Sequence, residues 1–327
     1  MTTLVIFPGQ GSQYRGMGHD LYQCHRVVRE TYEEADDILD FKISDLSFCD
    51  PNEELMLTRY TQPAVLTHSI ACFRLFSEKI GKNFLPIAAA GHSLGEYSAL
   101  VVAGSLDFSS ALKLVQQRGR LMGDFGSGEM EALPVARDIA QEIASQYYCA
   151  VAACNLPEQT VVAGASNDLD QIVMDLKSIN AKVNTTRLKT EGAFHTYLMI
   201  EAAKNFRPFL DSIKIGPPTI PTLSNYSGTF HDNDPRSIRA KLFLQLFNPV
   251  LWYQNLEQAA NLELQNIIEF GGGIGNGALP HEKKPNLAGI VKRMISKTKP
   301  RPAYYSVINE GTLNVAVEAI NARLLEV

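Results

Sequence analysis

The stretch Gly91-His92-Ser93-Leu94-Gly95-Glu96-Tyr97 constrains this chain more than any other segment. An apolar run, LPIAAAG (85–91), precedes the serine, and a helical pattern begins at about Leu94. Gly-x-Ser-x-Gly between a strand and a helix is the pattern of a nucleophile elbow, a turn too sharp for a Cβ two residues either side of the serine. The serine then stands at a helix N-terminus, where unpaired N–H groups and the helix dipole favour a developing oxyanion. The Leu94 N–H is the natural first donor. A chance Gly-x-Ser-x-Gly in an ordinary turn is the alternative, and the flanking strand and helix argue against it. The elbow alone does not say where an acyl group goes, because esterases pass it to water and acyltransferases hold it for a second acceptor.

The surrounding sequence predicts an α/β fold. LVIF (4–7) reads as a buried strand ending in the loop PGQGSQ. QPAVLTHSIACFRLFSEKIG (62–81) reads as a helix with Pro63 in its first turn. LDFSSALKLVQQRGRLMG (106–123) reads as another, capped by Asp107 or Ser109 and stopped by Gly123. The rhythm changes after GDFGSG (123–128), where EMEALPV, RDIAQEIASQ, CAVAAC, TVVAGA, NDLDQIVMDLKSI and AKVNTTRL follow one another. Strand, helix, strand, strand, helix, strand is the ferredoxin-like pattern. The predicted organisation is therefore a hydrolase-like α/β large subdomain from 1–127 and 190–327, with an inserted ferredoxin-like small subdomain at 128–189.

Composition excludes several classes. A net charge of −5 argues against a general nucleic-acid binder. No run approaches the ~18 apolar residues of a membrane span, and the N-terminus lacks the positive region of a signal peptide. Cys24, Cys49, Cys72, Cys149 and Cys154 are scattered without CxxC spacing, which fits reduced thiols rather than zinc ligands. The expectation is a cytoplasmic enzyme without a metal.

A serine hydroxyl needs a base within hydrogen-bond reach. His92 adjoins Ser93, but neighbouring elbow side chains point in different directions. His68 lies on an amphipathic helix, and His19, His25 and His231 sit in polar surroundings without a partner signal. His195, in GAFHTYLM, and His281, in GALPHEKKP, remain, and periodicity does not choose between them. Arg118, in QQRGRLM, reads by composition as an exposed arginine. The glycines of GGGIGNGALP (271–280) imitate a dinucleotide fingerprint, but the spacing is imperfect and no acidic partner follows, so no nucleotide is expected.

FPGQGSQYRGMG (7–18), YTQPA (60–64), GHSLGEYSALVVAGSLDF (91–108), LVQQRGRLM (114–122), GAFH (192–195) and FNPVLW (247–252) occur in that order. Together they resemble the malonyl-CoA:acyl-carrier-protein transacylase family, which includes fatty-acid synthase transacylases and polyketide synthase acyltransferases. The resemblance spans about 5–270. It implies that Ser93 is the acyl-accepting nucleophile and that His195, not His281, is the base, oriented by the backbone carbonyl of Leu251. It implies an oxyanion hole from the backbone N–H groups of Gln10 and Leu94, with Gln62, Asn225 and His92 lining the pocket. Arg118 matches the arginine that clamps the free carboxylate of malonate, which a guanidinium fork suits. Phe194 matches the malonyl-preferring form of the motif and leaves little space for an α-branch.

The implied reaction is ping-pong transfer of malonyl from malonyl-CoA, through Ser93, to the phosphopantetheine thiol of an acyl carrier protein. No cofactor is implied, because malonyl-CoA is the substrate and phosphopantetheine belongs to the carrier. Carrier proteins are usually acidic, so Lys283, Lys284, Lys292, Arg293, Lys297, Lys299 and Arg301 form a candidate basic docking surface near the C-terminus. Three features depart from the pattern: Lys189 and Glu191 in KTEGAFH, the GGGIGNG loop, and the tail beyond about 302. They favour a free-standing polyketide acyltransferase over a housekeeping fatty-acid one. The rival readings are an acyl hydrolase of the same fold, against which Arg118 argues, and an inactive carrier-docking module, against which the intact Ser93, His195 and Arg118 argue.

Overall fold

The structure is a computed structural model and describes all residues except 82–83, 297 and 326–327, so Lys297 of the basic cluster lies outside the described residues. In chain order the strands are β1 (Thr3–Phe7), β2 (Ala88–Gly91), β3 (Glu129–Leu133), β4 (Ala150–Leu156), β5 (Gln159–Gly164), β6 (Thr186–Leu188), β7 (Asn266–Phe270) and β8 (Ala303–Val307). They form two four-stranded sheets, ordered β2-β1-β7-β8 and β4-β5-β3-β6.

The first sheet is parallel throughout. Helices cover both its faces, so β1 is buried along its whole length and reads as an unbroken apolar run rather than an alternating one. Phe7 pairs with Gly91 at the last register position, so the loop after β1 and the elbow after β2 leave the sheet side by side. That is the carboxyl edge at which open parallel sheets place ligands. The tail beyond the family resemblance is not an appendage: its segment Ala303–Val307 adds the fourth strand beside β7.

The elbow glycines meet the predicted steric demand. A Cβ on Gly91 would lie 1.9 Å from the Gly95 carbonyl, and one on Gly95 would lie 2.2 Å from Phe7 O. Ser93 between them has φ 52°. Gly95→Ala is expected to destabilise the protein by about 3 kcal/mol, because backbone rather than a flexible side chain must yield. Gly289→Ala, in an open position of the helix Ala288–Ile295, is expected to be neutral or stabilising. Urea denaturation midpoints of the two variants test the contrast.

The helix predicted from residue 62 begins earlier and spans Thr58–Ile80, which puts Pro63 inside it rather than in its first turn. Its start is set from a distance, since the Glu191 carboxylate accepts the Thr58 N–H. The helix predicted at 106–123 spans Phe108–Asp124, with the Asp107 side chain accepting the Ser110 N–H at 2.7 Å. Gly123 lies within its last turn and does not stop it. The two helices approach closely at Gly119, where a Cβ would come within 2.6 Å of Thr58 O. This close crossing brings Gln62 and Arg118 together.

The second sheet is antiparallel and carries the helices Arg137–Gln146 and Ser166–Ile179, in the ferredoxin-like order predicted. It has its own core, including Leu133, Val151, Val162, Leu169 and Ile172. Val250 joins it to the rest of the molecule, donating to Ala152 O at 2.9 Å and accepting from Cys154 N at 2.8 Å. In the GGGIGNG loop, the space a Cβ would need at Gly271 and Gly272 is filled by Ser69 and Ser12, so these glycines serve close packing. Among the described residues no helix is long and apolar enough to cross a membrane.

Candidate active site

A cavity of about 340 Å³ lies where the two sheets meet. Gln10, Gln62, His92, Ser93, Leu94, Arg118, Phe194 and His195 line it from the large subdomain. Met130, Ala153, Asn155, Val161 and Leu188 line it from the small one. His281 stands outside it, in the short 3₁₀ turn Pro280–Glu282.

His195 Nε2 lies 2.7 Å from Ser93 Oγ. Its other ring nitrogen, Nδ1, lies 2.7 Å from a backbone carbonyl. A carbonyl only accepts, so Nδ1 carries the proton and the Nε2 lone pair faces the serine hydroxyl. That carbonyl belongs to Gln245, not Leu251. Leu251 is turned away because the preceding residue, Val250, is bonded to β4, and Leu251 itself donates its N–H to Asn225 O at 2.9 Å. Its side chain packs against the small-subdomain core.

Burial pushes the His195 imidazole down to about 3, the Arg118 charge adds to this, and the Gln245 carbonyl opposes it. Protonated imidazole cannot take the serine proton, so acylation falls as pH falls through this value. The expected kcat/KM profile for Ser93 acylation is flat from pH 8 down to about pH 5. An acid limb at the ordinary histidine value of about 6.5 would contradict the burial. The same shift makes the folded state lose stability as pH falls below about 6.5, where the unfolded chain binds the proton more readily.

Arg118 is only 1% exposed, contrary to its composition-based reading. Its Nη1 donates to Gln62 Oε1 at 2.8 Å, and its Nη2 donates to Gln245 Oε1 at 3.1 Å and to Ser93 Oγ at 3.3 Å. Its Nε has no partner among the described residues. A buried guanidinium held by neutral oxygens beside a nucleophile is built to receive an anion. Burial accordingly disfavours its charged form, with Tyr97 and Glu96 working the other way.

Gln10 and Leu94 both line the cavity, and the N–H of neither is bonded elsewhere among the described residues. The Gln10 side chain is tied back to Thr58 Oγ1 at 3.0 Å. His92 borders the cavity with Nε2 2.9 Å from Asn155 Oδ1 and its ring edge-on to Trp252. Phe194 is buried along the same wall.

Asn225 is not pocket lining. Its Oδ1 accepts the Ser93 N–H at 2.6 Å and its Nδ2 donates to Gly91 O at 2.7 Å, so its amide braces the elbow from behind. The Glu191 carboxylate is engaged at the Thr58 helix terminus rather than facing the base, whereas Lys189 borders the cavity. Sequence reasoning passed over Gln245 and Glu96, and it set His231 aside as lacking a partner, whereas His231 is buried with Nε2 2.8 Å from Glu96 Oε1. Glu96 stands within the elbow motif itself, a glutamate at a position the topology buries, and that was the available signal.

Strand-edge serine, buried base and buried arginine on this two-sheet scaffold define an acyltransferase, and residues 4–270 match the acyl transferase domain family. The malonyl CoA-acyl carrier protein transacylase of Bacillus subtilis is 32% identical over 324 residues, 96% of this chain and 96% of its own length. FabD from Acinetobacter baumannii superposes with a TM-score of 0.86 at 31% identity, covering 98% of this chain and 99% of that one. A malonyl-transacylase solved in complex with a type II PKS acyl-carrier protein superposes with a TM-score of 0.85 at 32% identity, covering 98% of this chain and 100% of that one. The chain belongs to the malonyl-CoA:acyl-carrier-protein transacylase family.

Proposed function

We propose that this enzyme moves a malonyl group from malonyl-CoA to the phosphopantetheine thiol of an acyl carrier protein, through an ester on Ser93. The observation that carries this reading is the buried Arg118 with Nη2 3.3 Å from Ser93 Oγ. His195 takes the Ser93 proton, Oγ attacks the malonyl thioester carbonyl, and the oxyanion meets the Gln10 and Leu94 N–H groups. The CoA thiolate leaves with that proton. The carrier thiol then gives its proton to His195 and attacks the ester, and Ser93 Oγ leaves by taking that proton back from His195. Between the two halves, Arg118 holds the malonyl carboxylate and the cleft between the two sheets keeps water poorly placed.

The relatives' named carrier-protein substrate and the solved complex with a carrier support the choice of acceptor. Lys284, Lys292, Arg293, Lys299 and Arg301 are exposed and are the candidate basic contacts for an acidic carrier. The acyl chemistry is the same whether the carrier serves polyketide or fatty-acid synthesis, and the free-standing polyketide assignment rests on Lys189, Glu191 and the GGGIGNG loop, since FabD-type relatives cover most of the tail as well. Transfer rates to carriers of each kind test that assignment.

Competition among malonyl-, methylmalonyl- and acetyl-CoA tests the acyl preference. Malonyl is expected to win over acetyl because an unclamped Arg118 stays desolvated and unpaired, and over methylmalonyl because Phe194 crowds the α-carbon. Preference for uncharged acyl groups, with rapid loss to water, would favour the hydrolase.

A further inference from the structure

Glu96 follows the elbow directly and is fully buried in the first turn of the helix Gly95–Val102. Its Oε2 accepts the Asn225 N–H at 2.9 Å and Gln245 Nε2 at 2.8 Å, and its Oε1 lies 2.8 Å from Nε2 of the buried His231. Gln245 Nε2 also donates to Ser93 O at 3.0 Å. Both amide protons of Gln245 are thereby committed, and its Oε1 is left facing Arg118 Nη2. The reversed amide would set a donor against the guanidinium and another oxygen against the Glu96 carboxylate. Gln245 therefore works twice: its backbone carbonyl holds His195, and its side chain holds the arginine end nearest Ser93.

We propose that Glu96, closed from behind by His231, is a positioning residue that fixes the Gln245 amide and so sets the preference for a carboxylate-bearing acyl group. Glu96 touches neither substrate nor base. It acts through Gln245 on Arg118, and through Asn225 on the backbone of the elbow. Its carboxylate also supplies the negative charge that a buried guanidinium otherwise lacks before substrate arrives. A glutamine in its place removes that charge and must set its own NH2 against either His231 or the two donors that Oε2 accepts, which loosens the hold on the Gln245 amide and with it the alignment of Arg118.

The inference rests on the proposed malonyl transfer, and the test separates the two. Acylation of Ser93 by malonyl-CoA and by acetyl-CoA is measured for the wild type, Glu96→Gln, Gln245→Met and the double variant, with thermal melting of each. Glu96→Gln is expected to lower the malonyl-to-acetyl ratio of kcat/KM about tenfold, the loss lying mainly in KM for malonyl-CoA. In the Gln245→Met background the same change is expected to cause no further fall in the ratio, since the link through the amide is already cut.

An unchanged ratio, with both acyl groups losing equally alongside a lower melting temperature, would make Glu96 a fold residue only and overturn the proposal. So would full additivity in the double variant. Should Glu96→Gln not fold, His231→Gln loosens the same carboxylate from its far side and is expected to lower the ratio in the same direction. An unchanged ratio there overturns the proposal equally. A wild type that takes up no malonyl at all would instead sink the transfer reading.

Discussion

Ser93→Ala is expected to lower malonyl transfer to carrier protein by on the order of 10⁴-fold or more, with little change in stability. The serine is held at φ 52° by close backbone contacts at Gly91 and Gly95, not by its hydroxyl. Alanine keeps the Cβ and the turn, and removes only the oxygen that His195 Nε2 approaches at 2.7 Å. The loss is then chemical rather than conformational. Single-turnover transfer together with thermal melting separates the two, and retained transfer would mean that the acyl group bypasses Ser93.

Arg118→Ala is expected to cost about 10³-fold in kcat/KM for malonyl-CoA while leaving acetyl-CoA unchanged or improved. The wild-type guanidinium is fully desolvated and anchored at both Nη groups by Gln62 and Gln245, so its direction toward Ser93 is fixed before substrate binds. Without it, the malonyl carboxylate would lie beside Ser93 with no guanidinium to meet it. Arg118→Lys is expected to recover little, because an ammonium cannot serve Gln62, Gln245 and a carboxylate in one plane. Kinetics with both thioesters check this, and equal losses for malonyl and acetyl would contradict a carboxylate clamp.

The parts of the fold that local chemistry dictates were readable in the sequence. β1 and β2 are apolar because both faces of the sheet are covered, and the elbow glycines are required by backbone contacts within the motif. The order of the second sheet followed from its alternating strands and helices. Composition alone reads Arg118 as exposed because it records a polar stretch, and only the resemblance marks it as a clamp; its burial depends on the close helix crossing at Gly119. The start of the helix at Thr58 was missed because its cap, Glu191, lies 133 residues away.

The carbonyl that holds His195 shows the limit most plainly. Any residue type supplies a carbonyl, so no side chain marks the position. The resemblance pointed to Leu251, whereas the chain path puts Gln245 there. The side chain of Gln245 has a second task that neither motif nor periodicity announces, because all its partners come from other segments. Asn225 was placed in the right neighbourhood but on the wrong side of the elbow.

The most direct measurement is the intact mass of the protein after malonyl-CoA is added, followed by addition of a phosphopantetheine-bearing carrier protein. The expected result is a single malonyl adduct, mapped to Ser93, that persists without an acceptor and disappears when the carrier becomes malonylated. An adduct on another residue, or one that decays to free malonate as fast without the carrier as with it, would contradict transfer through Ser93.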